Sequence, residues 1–405
     1  MKLNLWTAGL VAAGVVSLGS VVQAEEASSQ LLTALSSTTL SGYVDTSAIW
    51  KFGTGNASLP GRQYDGPSKM DGFNLNVVGL SLERPLDEGQ WSAGYKVDLL
   101  FGPDAQTYRD LISGSPVSGV DGLTIKQAYV ALRAPIGNGV DFKVGAFDGV
   151  IGYEVFESYV NPNYSRSFGH GLEPKQHVGV LASYQVCEAF SIAAGVANTY
   201  HPISPTGSLN ARATRANATA AESEKTYLGQ ITMTLPESLG FLKDGTIYAG
   251  VVDGLAGNSK DTTSAYVGAT LPTPVSGLAC GVAYDYRFNG PSVLTVLPPE
   301  RSNWAYAVAG YLSWQATEKL KFNGRVDYTN GSNGTWYTSS SSYGGQNELV
   351  SYTLTTDYSL WANVISRAEL RWDHSLKSDR PYGGVDSPGG DNNAVTLAVN
   401  VVYRF

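Results

Sequence analysis

Along much of this chain apolar and polar residues alternate one by one. In NAVTLAVNVVYRF, which runs from Asn393 to Phe405, Val395, Leu397, Val399, Val401, Tyr403 and Phe405 share one face. Thr396, Ala398, Asn400, Val402 and Arg404 share the other. A period of two is that of a β-strand. The same reading sets Trp91, Ala93, Tyr95, Val97 and Leu99 against Ser92, Gly94, Lys96 and Asp98. It sets Leu320, Phe322, Gly324, Val326 and Tyr328 against Lys321, Asn323, Arg325 and Asp327. Further on, Ala362, Val364, Ala368, Leu370 and Trp372 oppose Arg367, Glu369, Arg371 and Asp373. Alternation and turn residues together predict about sixteen strands. They lie near 38–51, 71–84, 90–101, 123–134, 139–148, 175–187, 189–200, 225–235, 245–255, 261–271, 278–289, 302–316, 319–330, 347–359, 362–374 and 393–405. In the second and ninth, either face could be the outward one.

The connections carry a second rhythm. Those after odd strands are mostly long: 52–70, 102–122, 149–174, 201–224, 290–301, 331–346 and 375–392, with 256–260 the short exception. Those after even strands are mostly short, as in PLDEG, PIGN, the single residue Glu188, TPVSG and TEK. A soluble β-sandwich points its apolar faces inward and has no reason to alternate its loop lengths. A barrel in lipid points them outward, lines its lumen with the charges, and has long extracellular loops and short periplasmic turns. The expected fold class is therefore all-β, a transmembrane antiparallel β-barrel of about 16 strands. An even strand count puts both termini in the periplasm.

Composition agrees. Charged residues make up 15% of the chain, well under the ~25% of soluble domains. The 46 Gly and 24 Tyr suit closely packed strands and a membrane–water interface. A formal net charge of −8 argues against a nucleic-acid partner. Lys2, an apolar run and Val22-Gln23-Ala24 form an export leader cut before Glu25. This gives a signal peptide at 1–24, a periplasmic N-terminal extension or short helix at 25–37, and the barrel at 38–405. Past the leader no run of eighteen apolar residues forms a spanning helix. Cys187 and Cys280 fall on strands about five apart, too far for a disulfide's ~4.4–6.8 Å Cα separation.

The last strand has to close against the first. Its terminal aromatic, Phe405, resembles the signal read by outer-membrane assembly machinery, so that machinery and outer-membrane lipid are the expected partners.

Local motifs narrow the family. The stretch IKQAYVALRAP carries Gln127, Ala128, Tyr129 and Val130. After it come Gly145 and Phe147, then Gly152-Tyr153-Glu154. Asn161, Pro162, Tyr164, Ser165, Arg166 and Ser167 follow, then Pro174, His177 and Gly179. With the opening LSGYVDTS, Leu40 to Ser47, these resemble the OmpL-like β-barrel porin family. The motifs cover about fifty residues and the barrel layout nearly all of the chain after the leader. The resemblance implies a porin without implying a substrate. Sixteen-stranded porins are often trimers, so it also allows a homotrimer, although no outward face of the sequence is marked as an interface.

Catalytic chemistry finds little support. Asp373 and His374 are adjacent on a strand and face opposite sides, and no nucleophile and base stand together. The spacing of His170 and His177 matches no common zinc pattern. His177 reads as a polar residue at a strand start. No phosphate-cradling glycine loop is present. No catalytic, metal or cofactor-binding residues are therefore assigned.

The function expected is a water-filled channel for passive diffusion of small hydrophilic solutes, because sixteen strands enclose an aqueous lumen. The alternative is a non-conducting surface protein whose loops bind a partner or anchor the envelope. Segment 149–174 is the third long loop. It carries Glu154, Glu157 and Glu173 and the aromatics Tyr153, Phe156, Tyr159, Tyr164 and Phe168, a composition suited to packing inside a barrel. Glu154 and Glu157 are expected to face a basic wall of Arg325, Arg367, Arg371 and Arg404, with Lys96, Arg133 and Lys143 adding to it. This would set a transverse field at a constriction. Arg166 is expected to pin the loop, with the loop's own carboxylates as its candidate partners. The competing arrangement caps the barrel from outside and leaves the arginines to pair with Glu369 and Asp327.

Overall fold

The structure, a computed structural model, describes residues 37–53, 59–65, 69, 71–108, 123–200, 225–255, 260–292, 302–337, 346–383 and 390–405. The leader expected at 1–24 and the extension expected at 25–37, as far as residue 36, lie outside the described residues.

Sixteen strands form one closed antiparallel barrel. They are β1 (Thr39–Phe52), β2 (Gly72–Arg84), β3 (Ser92–Phe101), β4 (Leu123–Ala134), β5 (Val140–Asp148), β6 (Gln176–Cys187), β7 (Phe190–Ala197) and β8 (Thr226–Thr234). They continue as β9 (Thr246–Leu255), β10 (Lys260–Pro272), β11 (Leu278–Ser292), β12 (Asn303–Gln315), β13 (Leu320–Gly331), β14 (Asn347–Trp361), β15 (Val364–Ser375) and β16 (Asn393–Arg404). Each strand pairs with its sequence neighbours, and β16 returns to β1, with Tyr43 opposite Arg404 and Phe52 opposite Val395. All sixteen lie where the period-two pattern puts them, with ends within three residues.

The alternation has the sense lipid demands. On β16, Ala394, Thr396, Ala398, Asn400 and Val402 are buried inside, while Val399, Val401 and Tyr403 are exposed outside. On β13, Asn323, Arg325 and Asp327 are buried, and Phe322 and Val326 are exposed. Outward apolar side chains meet hydrocarbon at no cost, whereas an outward charge there would be penalised. Aromatics gather at both ends of the wall. Tyr352 stacks on Trp372 toward the loop end, and Trp314 on Phe322 toward the turn end, as interfacial girdles do.

Two irregularities explain where the pattern is hard to read. In β2, Asp45 pairs with Val77 and Thr46 with Leu75, so Asn76 is an extra residue. Asn76 and Val77 are both buried, and the phase reverses across them. In β4, Asp98 pairs with Gln127 and Leu99 with Ile125, so Lys126 is extra, and Lys126 and Gln127 both face inward. β-Bulges of this kind re-aim side chains locally. The ninth strand is ambiguous for another reason. Its buried inward residue Val252 belongs to an apolar cluster inside the lumen, while Asp253 is exposed outside.

Among the described residues the barrel wall is interrupted only by turns, loops and short helices, including one α-helix, α1 (Phe168–Leu172). The turn between β8 and β9 departs from the short-turn rhythm and carries a 3₁₀ segment, Glu237–Leu242. Cys187 and Cys280 are free.

Candidate functional site inside the lumen

β5 and β6 are neighbours in the wall, so segment 149–175 leaves and returns at one point, where the Gly149 N–H donates to Lys175 O at 2.9 Å. Between these ends the segment folds into the barrel. Val150 and Ile151 pack with Leu228, Val252, Tyr266 and Tyr311 of β8, β9, β10 and β12. Phe156 packs with Tyr43, Val77 and Leu100 of β1 to β3. Tyr164 joins Ile49 and Ala398. Phe168 and Leu172 of α1 pack on Ala305 and Ala307 of β12 and on Leu349 and Ala394. The segment therefore touches opposite walls. Small inward residues make room for it. A Cβ on Gly281 would lie 2.0 Å from the Tyr153 hydroxyl, and one on Gly250 2.6 Å from Ile151. Seated in this slot, the Tyr153 ring stacks on Tyr311 at 4.2 Å.

Three wall arginines hold the polar side of the segment. Arg325 Nη1 donates to Glu154 Oε1 at 2.9 Å and to Ser165 O at 2.7 Å, and its Nε donates to Asp327 at 3.0 Å. Arg367 donates to Asp357 at 2.6 Å and to the loop carbonyls of Ser158 at 2.8 Å and Asn161 at 3.2 Å. Arg371 donates to Asp373 at 2.9 Å and to Arg166 O at 2.6 Å. Each guanidinium thus joins a wall carboxylate to loop carbonyls, a use its five-donor fork suits. Wall acids in turn accept from loop N–H groups. Glu369 takes those of Tyr164 at 2.6 Å and Ser165 at 2.9 Å, and Asp327 takes that of Phe168 at 3.0 Å. Glu154 also accepts from the N–H and hydroxyl of Ser167, the N-cap of α1, at 2.7 and 2.9 Å.

Several expected partners differ. Glu154 does face Arg325. Glu157 instead meets Lys126 Nζ at 2.9 Å, and Lys126 also binds Asp148 at 2.5 Å. Lys126 escaped the sequence reading because the bulge in β4 turns it inward out of phase. Arg166 pins the segment through the carbonyls of Val155, Phe156 and Tyr164 at 3.1, 2.5 and 2.5 Å and, among the described residues, through no carboxylate. One loop acid, Glu154, is already taken by Arg325 and Ser167. The wall is also not a bare basic surface. Asp327, Asp357, Glu369 and Asp373 accompany its three arginines, which are at most 2% exposed. Arg404 stands apart from them with its guanidinium over the Tyr159 ring. Lys96 pairs with Glu83 at 3.1 Å, Arg133 with Asp141 at 2.6 Å, and Lys143 sits over the Tyr129 ring. Asp373 faces inward, while His374 bonds Asn393 on an exposed site, so the two do not cooperate.

Two further segments turn inward. Arg62 binds Asp65, Asp373 and Thr396. Lys69 binds Asp104, in the 3₁₀ turn Pro103–Tyr108, at 2.8 Å. Burial pushes the Asp104 carboxyl up to about 6 although Lys69 opposes it. At the loop's return, burial pushes Glu173 up to about 7, opposed by Lys175 and reinforced by Glu154. His170 is held well below its usual value by burial, Lys175 and Arg166. Beyond the segment, toward the short turns, a cavity of about 440 Å³ opens between β1–β3 and the end of β16.

Solved structures share this architecture. The outer-membrane channel DcaP of Acinetobacter baumannii is 14% identical, with a TM-score of 0.58 over 91% of this chain and 97% of that one. OmpF of Salmonella typhi, solved with daunomycin, is 12% identical, with a TM-score of 0.55 over 91% and 97%. The trimer form of OmpT, an outer membrane protein of Vibrio cholerae, is 12% identical, with a TM-score of 0.53 over 91% and 99%. At these identities the likeness is one of fold. No curated protein matches the sequence. The family model described as "Putative beta-barrel porin-2, OmpL-like" matches residues 37–405, and the chain belongs to that family of outer-membrane porins.

Proposed function

We propose that this porin passes small hydrophilic solutes passively and that segment 149–175 sets its aperture. In this reading Glu154, Glu157, Arg166, Arg325, Arg367 and Arg371 form the constriction. The arginines serve mainly to fix the loop, and Glu157 is the residue that addresses the water path. The observation that carries the reading is the bridge from the β13 wall through Arg325 to Glu154, which supports a loop held rigidly across the lumen. A pore narrowed this way favours ions and small solutes over oligosaccharides. The same reading treats the chain as a transporter with no chemistry of its own. It takes a homotrimer as the assembly by analogy with the trimeric OmpT fold. Purified protein in a planar bilayer is expected to give stepwise conductance. Proteoliposomes are expected to swell quickly with arabinose and slowly with raffinose. Absence of conductance steps at any protein concentration would refute the channel reading.

A further inference from the structure

The 440 Å³ cavity on the turn side of the segment is lined by Ser41, Glu83, Lys96, Asp98, Glu157, Tyr159 and Arg404, among others. Its charges can be paired off. Lys96 holds Glu83 at 3.1 Å, and Glu157 is held by Lys126 at 2.9 Å. One acid and one base remain without a direct ion pair among the described residues, although Lys96 also attracts Asp98. Asp98 is 8% exposed; its Oδ2 accepts from Gln127 at 2.7 Å, and its buried Oδ1 has no partner. Arg404 makes no ion pair among the described residues, lies over the Tyr159 ring at 5.4 Å, and keeps a buried Nε with no partner. A buried polar atom left unmatched is costly unless water or a ligand completes it.

We propose that this cavity is a binding site for small zwitterionic solutes, of the free amino acid or short peptide class. The solute's carboxylate would lie on Arg404 and its ammonium on Asp98. A purely anionic solute would meet Arg404 but also Asp98, which shares Lys96 with Glu83, and a purely cationic one the reverse. A zwitterion satisfies both at once and leaves the cavity's net charge unchanged. Arg404's guanidinium is steadied by Tyr159, on the loop that also carries Glu157. The site therefore abuts the proposed constriction, where a weak and quickly released solute suits passive transport. The role of the site in selectivity rests on the channel reading; binding itself does not.

The test is saturation-transfer NMR on the folded full-length protein in detergent. The probes are glycylglycine, N-acetylglycylglycine, which lacks the ammonium, and glycylglycinamide, which lacks the carboxylate. Glycylglycine is expected to bind about tenfold more tightly than either analogue, the worth of one charge-assisted contact. Asp98→Asn should weaken glycylglycine and glycylglycinamide about tenfold and spare the acetylated probe. Arg404→Gln should weaken glycylglycine and N-acetylglycylglycine about tenfold and spare glycylglycinamide. Equal signals from all three probes on the native protein would overturn the proposal, as would binding of glycylglycine that neither variant changes. The native-protein comparison stands even if Arg404→Gln fails to fold. Bilayer recordings on the same preparation separate the two readings: silent bilayers with the expected binding sink the channel, and conducting bilayers without it sink the site.

Discussion

Arg325 Nη1 lies 2.9 Å from Glu154 Oε1 while its Nε holds Asp327 Oδ2 at 3.0 Å, and all three side chains are fully buried. One guanidinium on the wall thus neutralises one carboxylate of the wall and one of the loop. Removing one member of such a group leaves an uncompensated buried charge. Arg325→Met should therefore weaken the seating of segment 149–175 by about 3–5 kcal/mol while the strand ladder persists. Faster proteolytic cleavage within 149–175, with heat-modifiability retained, would register this. Cleavage at the native rate would show that the apolar contacts alone hold the loop.

Glu154 and Glu157 should part company in selectivity. Glu154 is sealed beneath the loop, whereas Glu157 lines the turn-side cavity. Glu157→Gln should shift the reversal potential in a salt gradient toward anions. Glu154→Gln should instead raise conductance fluctuations, and the double variant should show both effects. Unchanged reversal potential and unchanged conductance in the double variant would put the constriction elsewhere.

The loop should also respond to pH, in opposing ways. Burial, opposed by Lys175 and reinforced by Glu154, lifts Glu173 from its ordinary 4.5 to about 7. Its contribution is therefore fully present below about 4.5 and is lost as pH rises to about 7. His170 is held neutral in the folded loop, against an ordinary value of 6.5. It therefore costs stability as pH falls below about 6.5. In Glu173→Gln the loop's proteolytic resistance should rise more between pH 4.5 and 6.5 than in the native protein, because the opposing Glu173 is gone and His170 remains. In His170→Gln it should lose resistance from pH 4.5 to 7. Identical pH profiles in the two variants would rule out both groups.

Closure depends on a small residue. Gly42 and Phe405 exchange backbone hydrogen bonds at 2.8 and 2.9 Å, and a Cβ on Gly42 would fall 2.5 Å from the Phe405 ring. Phe405→Asp puts a carboxylate at the lipid-facing girdle, and Gly42→Val displaces the ring. Both should lower the amount of folded, heat-modifiable protein in the outer membrane far more than Phe241→Asp in the exposed β8–β9 turn. Equal levels of all three would argue against a role for the terminal aromatic in assembly.

The slot for Tyr153 offers a milder probe. Gly281→Ala should push the Tyr153 hydroxyl out and break its stack on Tyr311. Single-channel conductance should change while the unfolding temperature moves little, because the wall hydrogen bonds are untouched. An unchanged conductance would mean that this end of the segment does not bear on the path.

The sequence by itself determined the wall. Lipid outside and water inside impose a period of two on every strand, and each strand's partner is its neighbour in the chain. Local pattern and loop length therefore suffice to recover all sixteen strands and their order, and Val399 and Arg371 can be assigned to opposite faces from their own neighbourhoods. The tertiary structure decided the contents of the lumen. The bulges at Asn76 and Lys126 add a residue on one strand only, which alternation reads as noise although it delivers the lysine that meets Glu157. Glu154 finds Arg325 from 171 positions away, and Arg166 turns to carbonyls of its own loop while Glu154 is bound elsewhere. Such choices depend on which donors and acceptors come within about 3 Å once the barrel has closed. No periodicity along the chain encodes that distance.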